Sequence, residues 1–390
     1  MPPHPLLAAA RKIAAPITAI RRDLHMHPEI GFDLPRTAGI VAAEMQSLGL
    51  NVRSGVGKSG VVADLEVSGA TERVALRADM DALEIEEQND VPYRSTVPGR
   101  GHMCGHDAHT AMLIGAARLL CERRGELTRN VRFIFQPNEE NLPGGAPAMI
   151  ADGALGDVDR IYGLHVWPYH DAGTIGICDG PALGQPDMFT ITLTGIGGHA
   201  AFPHDVVDPI VAGAHLVTQL QTIVSRTVDP RQAAVLSVTQ FHAGTADNII
   251  PERALLNGTV RTFDAAVQRT IRDRLEAIVA GVAATHGVQA DLTYSEGYPV
   301  TVNHPEGVRR ARAGAEALCG TERLHYPDTP ALGGEDFAYF LRERPGCFLF
   351  LGVRNTAEGK VHMLHDPRFD IDEATLPLGM ALHAWLGMEG

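Results

Sequence analysis

The sequence predicts an α/β catalytic domain, a mixed sheet with helices on both faces, carrying an inserted ferredoxin-like α+β domain. Three observations predict it. Apolar runs of strand length alternate with helical periodicities up to about residue 187; the rhythm then becomes β-α-β-β-α-β; after about residue 300 the first style returns. Residues 6–26 read as an amphipathic helix that stops at His27-Pro28, since the residue before a proline is pushed out of the helical region. Strands follow at 61–67, 73–78 and 131–136, with an apolar helix at 108–123 between the last two. The inserted segment reads as strand 188–194, helix 208–226, strands 233–241 and 253–263, helix 264–286 and strand 289–296. A helix at 305–319, a strand at 348–353 and a helix at 373–388 close the chain. A style that changes and later reverts implies one domain made of residues 1–186 and 299–390, with 187–298 inserted.

Composition narrows the function classes. In 390 residues, 33 Lys+Arg face 47 Asp+Glu, a formal net charge of −14. So acidic a chain lacks the basic face that phosphate neutralisation needs, which argues against nucleic acid as a partner. No stretch approaches the ~20 apolar residues of a membrane span, which argues against a membrane partner. The apolar run Pro5 to Ala10 is cut by Arg11, Lys12, Arg21 and Arg22, unlike a secretory leader. The five cysteines (104, 121, 178, 319 and 347) are odd in number and scattered, unlike a disulfide framework. A reducing cytoplasm is the expected location.

Four stretches carry chemistry. GHMCGHDAH at 101–109 puts Cys104 two residues from His106, with His109 three further on, in a Gly-containing loop ahead of a helix. A thiolate and an imidazole so placed can serve one metal region, although the spacing alone fits a buried Cys beside surface histidines equally well. QPNEEN at 136–141 sets Glu139 and Glu140 where a strand ends. Adjacent carboxylates point apart, so one can bind metal while the other manages protons. GLHVWP at 163–168 places His165 in an apolar strand, and VHMLHDPRFD at 361–370 offers His362 and His365 ahead of a proline turn.

Together with RRDLHMHPEIGF (21–32), RADMDALEIEE (77–87), GIGGHAAFPH (195–204), DNIIPERALLNGTVRTF (247–263), GGEDFAYF (333–340) and LHDPRFDID (364–372), these stretches occur in family order over nearly the whole chain. The sequence resembles the amidohydrolase branch of the aminoacylase/carboxypeptidase-type dinuclear metallopeptidases, the group of hippurate hydrolases, N-acyl-amino-acid amidohydrolases and indole-acetyl-amino-acid hydrolases. The resemblance implies a metal-binding catalytic domain with an inserted lid and dimerisation domain, and two divalent ions (Zn, Mn, Co or Ni). It matches Cys104, His106, Glu140, His165 and His365 to metal ligands, Glu139 to the general base, and Asp81 to a carboxylate that orients a ligand. His199, Asn248 and Arg261 match inserted-domain positions that contact substrate, with His199 as oxyanion donor and Arg261 as carboxylate clamp. His25, His27, His109 and His362 keep a structural reading. Glu84, Asn138 and Gly334 depart from the family pattern, where Pro, a small residue and Ser are usual; Asn138, beside the base, bears on substrate preference.

The implied activity is hydrolysis of N-acyl amino acids to a carboxylic acid and a free amino acid, in a homodimer or homotetramer built through the inserted domain. The alternatives are a dipeptidase, carboxypeptidase or other small-amide deacylase on the same fold, a cysteine hydrolase using Cys104 and His106, and a non-catalytic binding protein. The cysteine mechanism leaves Glu139, Glu140, His165 and His365 without a task.

Overall fold

The computed structural model describes residues 4–389. Its Cα framework divides into two units: one runs to Ala182 and resumes at Thr301–Pro330 and from Asp336 onward, and the other comprises Leu183–Val300 with Ala331–Glu335.

The first unit is built on an eight-stranded mixed sheet. Its strands lie in the order Asn51–Val56, Gly60–Leu65, Asn130–Gln136, Arg73–Asp79, Arg160–Asp171, Gly346–Arg354, Ile175–Gly176 and Leu324–His325. The middle of the sheet is parallel: Arg73–Asp79 pairs with Asn130–Gln136 on one side and Arg160–Asp171 on the other, and Gly346–Arg354 extends it. Gly60–Leu65, Arg73–Asp79 and Asn130–Gln136 are buried at every position. Strands covered on both faces, whether parallel or, like Gly60–Leu65, antiparallel, read as apolar runs rather than alternating ones. The helix His106–Glu122 and the closing helix Leu376–Glu389 pack into the same core, where Ile114, Leu120, Met380 and Leu382 are fully buried beside Leu76 and Phe133. The closing helix is buried on nearly all sides, so it shows almost no polar face.

Several details differ from the sequence expectation, among them the short helices Ala146–Ala151 and Phe337–Glu343, which it did not mark. The N-terminal helix is two helices, Pro5–Lys12 and Ala14–Met26, joined at Ile13. Pro16 explains the break: it has no N–H for the Lys12 carbonyl, and its ring would clash there in a continuous helix. The strand Asn51–Val56 and the helix Pro35–Ser47 add elements that alternation alone did not mark. Among the described residues, no helix is long and apolar enough to cross a membrane.

The second unit holds a four-stranded antiparallel sheet in the order Ala234–Ala243, Arg253–Thr262, Gln185–Thr194, Gln289–Ser295. Helices Pro209–Thr227 and Ala265–His286 contribute Leu216, Leu220, Ile271 and Leu275 to its separate core. Strand–helix–strand–strand–helix–strand with this order is the ferredoxin-like arrangement. Asp208 and Asp264 start the two helices by accepting backbone N–H bonds.

Candidate metal centre

Ligands in open parallel sheets bind beyond the carboxyl ends of the strands, and the side chains matched to metal chemistry collect there. Asp79 ends one central strand level with Gln136 at the end of its neighbour, and His165 lies two residues beyond the Arg77–Gly163 pair on the other side. The loop that delivers Cys104 turns at Gly105, which has φ +89 and caps the helix that His106 begins. A Cβ at Gly105 would run into the Val166 side chain, so only glycine brings this loop onto the strand.

The two glutamates reach the site through a strained turn. Asn138 has φ +54, and its side-chain amide donates to the Asn141 carbonyl at 2.8 Å. Asn tolerates the left-handed region better than most residues, and its side chain is committed to the loop and buried. Just beyond it, Asp81 Oδ1 accepts the Glu139 N–H at 3.0 Å and Oδ2 the Glu140 N–H at 3.2 Å. The same Oδ1 lies 3.3 Å from His106 Nδ1, though off the line of a hydrogen bond. One buried carboxylate thus touches three of the side chains or backbones that sequence reasoning brought forward.

Donor atoms converge in overlapping groups. Those of Cys104, His106 and His165 lie within 4.8 Å of one another, as do those of Cys104, Glu140 and His365, and those of His106, Glu139 and Glu140. Cys104, His106 and Glu140 each belong to two of these groups, so the groups merge into one continuous cluster of donors. The His165 Nδ1–H donates to the Val166 carbonyl at 2.6 Å, which leaves the Nε2 lone pair facing Cys104 Sγ at 3.4 Å. Burial holds His165 neutral, with a pKa well below the usual imidazole value.

These residues fit a pair of divalent cations. Both His106 ring nitrogens and Glu140 Oε1 are buried without a hydrogen-bond partner, and such orphans are rare unless something else satisfies them. Burial opposes a charge on His106, but Asp79, Asp81 and Glu140 prevail and push its pKa up to about 10. Burial, then Glu140, Glu139 and Asp79, raise the Cys104 thiol well above its usual value. Excess negative potential of this kind is what a cation relieves, and thiolate, imidazole and carboxylate together suit Zn, Mn, Co or Ni.

The remaining residues fall in different places. His199 and Asn248 are neighbours in the second unit: Gly198–His199 pairs with Ile249–Ile250, and the Ala200 N–H donates to the Asn248 carbonyl at 3.0 Å. Arg261 stands on the strand Arg253–Thr262, opposite Pro186 on one side and Val235 on the other. His25 is locked between Asp107 Oδ2 at 2.7 Å and Glu87 Oε1 at 3.1 Å, and His27 bonds the Asp23 carbonyl. His362 faces Asp366 at 3.6 Å. Sequence reasoning passed over Asp79, Arg77 and Asp336, which form a buried chain behind the centre. The signal for Arg77 and Asp79 lies in RADMD, where only the second aspartate stands out, and Asp336 lies in GGEDFAYF.

An α/β sheet whose carboxyl ends gather a thiol, imidazoles and paired carboxylates belongs to the class of metal-dependent hydrolase scaffolds. Residues 75–386 match the family model described as Peptidase family M20/M25/M40. The chain belongs to that family. It is 44% identical over 296 residues to the N-acyl-L-amino acid amidohydrolase of Geobacillus stearothermophilus, spanning 76% of this chain and 80% of that protein. It is 38% identical to thermostable carboxypeptidase 2 of Saccharolobus solfataricus, covering 96% and 95% of the two chains. Among solved structures it resembles the YXEP protein of Bacillus subtilis, described as a dinuclear metal binding peptidase, with a TM-score of 0.82, 34% identity and coverage of 97% and 98%.

Proposed function

We propose that this protein is a metal-dependent amidohydrolase that cleaves N-acyl amino acids to a carboxylic acid and a free amino acid. The observation that carries this reading is the pair of donor groups sharing Cys104, with Glu139 grouped beside His106 and Glu140. Cys104, His106, Glu140, His165 and His365 would hold two divalent ions. Bound there, the ions would supply Lewis acidity, polarising an amide carbonyl and acidifying water.

The chain's own residues account for the rest. The Glu139 carboxylate takes a proton from the attacking water and returns it to the amide nitrogen as the C–N bond breaks. Asp81 fixes the backbone of that glutamate and of its neighbour, so base and ligand keep their separate directions. His199 is suited to stabilise the oxyanion. Its Nδ1 accepts the Ala201 N–H at 3.1 Å, which puts the ring proton on Nε2, free to donate. Asn248, beside it, offers a second polar contact to substrate. Arg261 is half-buried, and among the described residues no carboxylate pairs with it within ion-pair distance. Asp187 acts on it only at longer range, and a desolvated guanidinium in no direct ion pair suits a substrate carboxylate, which it can bind in bidentate fashion.

The second unit is proposed as lid and dimerisation domain of this catalytic unit. Support comes from exposed Ile196, Phe202 and Ile249 around His199, an apolar surface of the kind that symmetric dimers cover.

The test is a panel of benzoyl-, acetyl- and indole-acetyl-amino acids, with dipeptides alongside, offered to apo-protein reconstituted with Zn, Mn, Co or Ni. Metal-dependent release of the amino acid from the acyl substrates is expected. Turnover confined to peptides would favour the carboxypeptidase reading, to which the similarity to thermostable carboxypeptidase 2 points. No turnover of either class with any metal would overturn both.

A further inference from the structure

His109 is fully buried, and its ring lies against that of His165 with centroids 4.5 Å apart. Asp79, His106 and His109 also bring donor atoms within 4.8 Å of one another, so position alone would let His109 ligate a metal. The hydrogen bonds argue otherwise. The Val166 N–H donates to His109 Nε2 at 2.8 Å. A backbone N–H can only donate, so this nitrogen offers its lone pair to the peptide and carries no proton. The proton therefore sits on Nδ1, which donates to Asp79 Oδ1 at 2.6 Å. Both ring nitrogens are thereby used within the protein.

The chain of contacts continues on each side. Asp79 Oδ2 is held by Arg77 Nη1 at 2.6 Å. Arg77 is anchored in turn by Gln136 Oε1 at 2.8 Å and Asp336 Oδ1 at 3.0 Å. On the other side, the Val166 carbonyl accepts the His165 Nδ1–H at 2.6 Å. Val166 is thus gripped at its N–H by His109 and at its carbonyl by His165. Val166 also pairs with Leu351 of the strand Gly346–Arg354, so the His109 bond sets the N–H side of a peptide whose other side the strand holds, and losing it lets that peptide tilt away from His165.

We propose that His109 is a positioning residue: through the Val166 backbone it holds His165 in the Nδ1–H tautomer, with Nε2 presented beside Cys104. Arg77 and Asp79 brace His109 from behind. The proposal rests on the metal-centre reading above. Outer partners of metal-binding histidines commonly act in this way, and their loss typically costs 10–100-fold in metal affinity.

The experiment measures Zn²⁺ binding to the apo-protein by calorimetric titration and chelator competition, for the parent and three variants. His109→Leu removes both hydrogen bonds at similar volume, His109→Gln places a carbonyl oxygen where Nε2 stood, and His109→Asn can restore only the Asp79 side. Two equivalents in the parent support the metal-centre reading, and fewer than two would sink that reading whatever the variants do. Expected for His109→Leu is two equivalents at saturation, with the affinity of at least one lowered about 10–100-fold. His109→Gln should recover most of that loss and His109→Asn little. A second equivalent lost altogether in His109→Leu and His109→Gln would make His109 a ligand. Affinities within twofold of the parent would remove any positioning role. Should His109→Leu fail to fold, equal affinities for the Gln and Asn variants would also overturn the proposal. Imidazole ¹⁵N shifts of the apo-protein give an independent readout: His165 should be the Nδ1–H tautomer in the parent and a mixture in His109→Leu. One tautomer in both would count against the proposal.

Discussion

The backbone N–H of His365 donates to the Met103 carbonyl at 2.8 Å, which ties the turn carrying one candidate ligand to the residue preceding Cys104. His365 holds this place with φ +66, a left-handed conformation that a side chain with a Cβ adopts at a cost. His365→Ala and His365→Gly should both lose metal, since each removes the imidazole. The glycine variant should nevertheless be the more stable to urea, by about 1 kcal/mol. Equal stabilities would show that the turn relaxes once the imidazole is gone.

Base and ligand should separate cleanly in metal content. Glu139→Ala is expected to abolish turnover while elemental analysis finds metal near the parent level. Cys104→Ala should lose both. A Glu139→Ala protein active within tenfold of the parent would remove that residue from catalysis, and full metal occupancy in Cys104→Ala would remove the thiol from coordination.

Arg261→Ala should raise KM for carboxylate-bearing substrates roughly ten- to a hundredfold, since a charge-assisted contact contributes about 1.5–3 kcal/mol. Amide or ester analogues of the same substrates should suffer little. Equal losses for both would reduce Arg261 to a support for the strand.

Assembly gives a prediction by mixing. If the paired second units carry His199 into the neighbouring subunit's centre, inactive His199→Ala mixed with inactive Glu139→Ala should regain activity. In the mixed dimer one site would hold both native residues and the other neither. No recovery after confirmed subunit exchange would confine His199 to its own subunit.

Acid stability should depend on Asp370. Burial works against its charge, but Arg21 and Lys360 prevail and bring its pKa down to about 2, below the ordinary 3.8. A carboxyl whose pKa is lower folded than unfolded contributes stability that is complete above about pH 4 and is lost as pH falls through 2. The contribution is about 2 kcal/mol. Asp370→Asn should therefore lose that much less stability than the parent on going from pH 5 to pH 2 in urea titrations. Parallel profiles for the two proteins would place the acid sensitivity elsewhere.

What the sequence made legible was local. Short apolar runs marked Arg73–Asp79 and Asn130–Gln136, and the end of the second of these strands put Glu139 and Glu140 beyond the carboxyl end of an interior strand. The strand Asn51–Val56 escaped because it is an edge strand, half exposed and interrupted by Gly55, so neither face shows a clear period. Donor convergence depends on register across strands far apart in the chain, which no window of sequence carries. The link from Asp79 through His109 to Val166 is of that kind: three residues from two strands and a helix meet only once the parallel pairing is set. Asn138 shows a local role that the sequence did not reveal: its side-chain amide donates to the Asn141 carbonyl and so helps hold the turn that carries the base.

The donor set has a mechanical consequence. Cys104, Glu140, His165 and His365 come from loops and strands that the chain visits at widely separated times, and His365 returns only near its end. Ions held by all of them would act as a removable cross-link that closes very long loops. Cross-links of that span restrict the unfolded chain most, and a site preformed only in the folded state turns binding energy into folding energy. Loading the centre would raise the melting temperature of the first unit while leaving the second, with its own core and none of these donors, where it was. Two thermal transitions would then draw apart as metal is added and merge as it is stripped away.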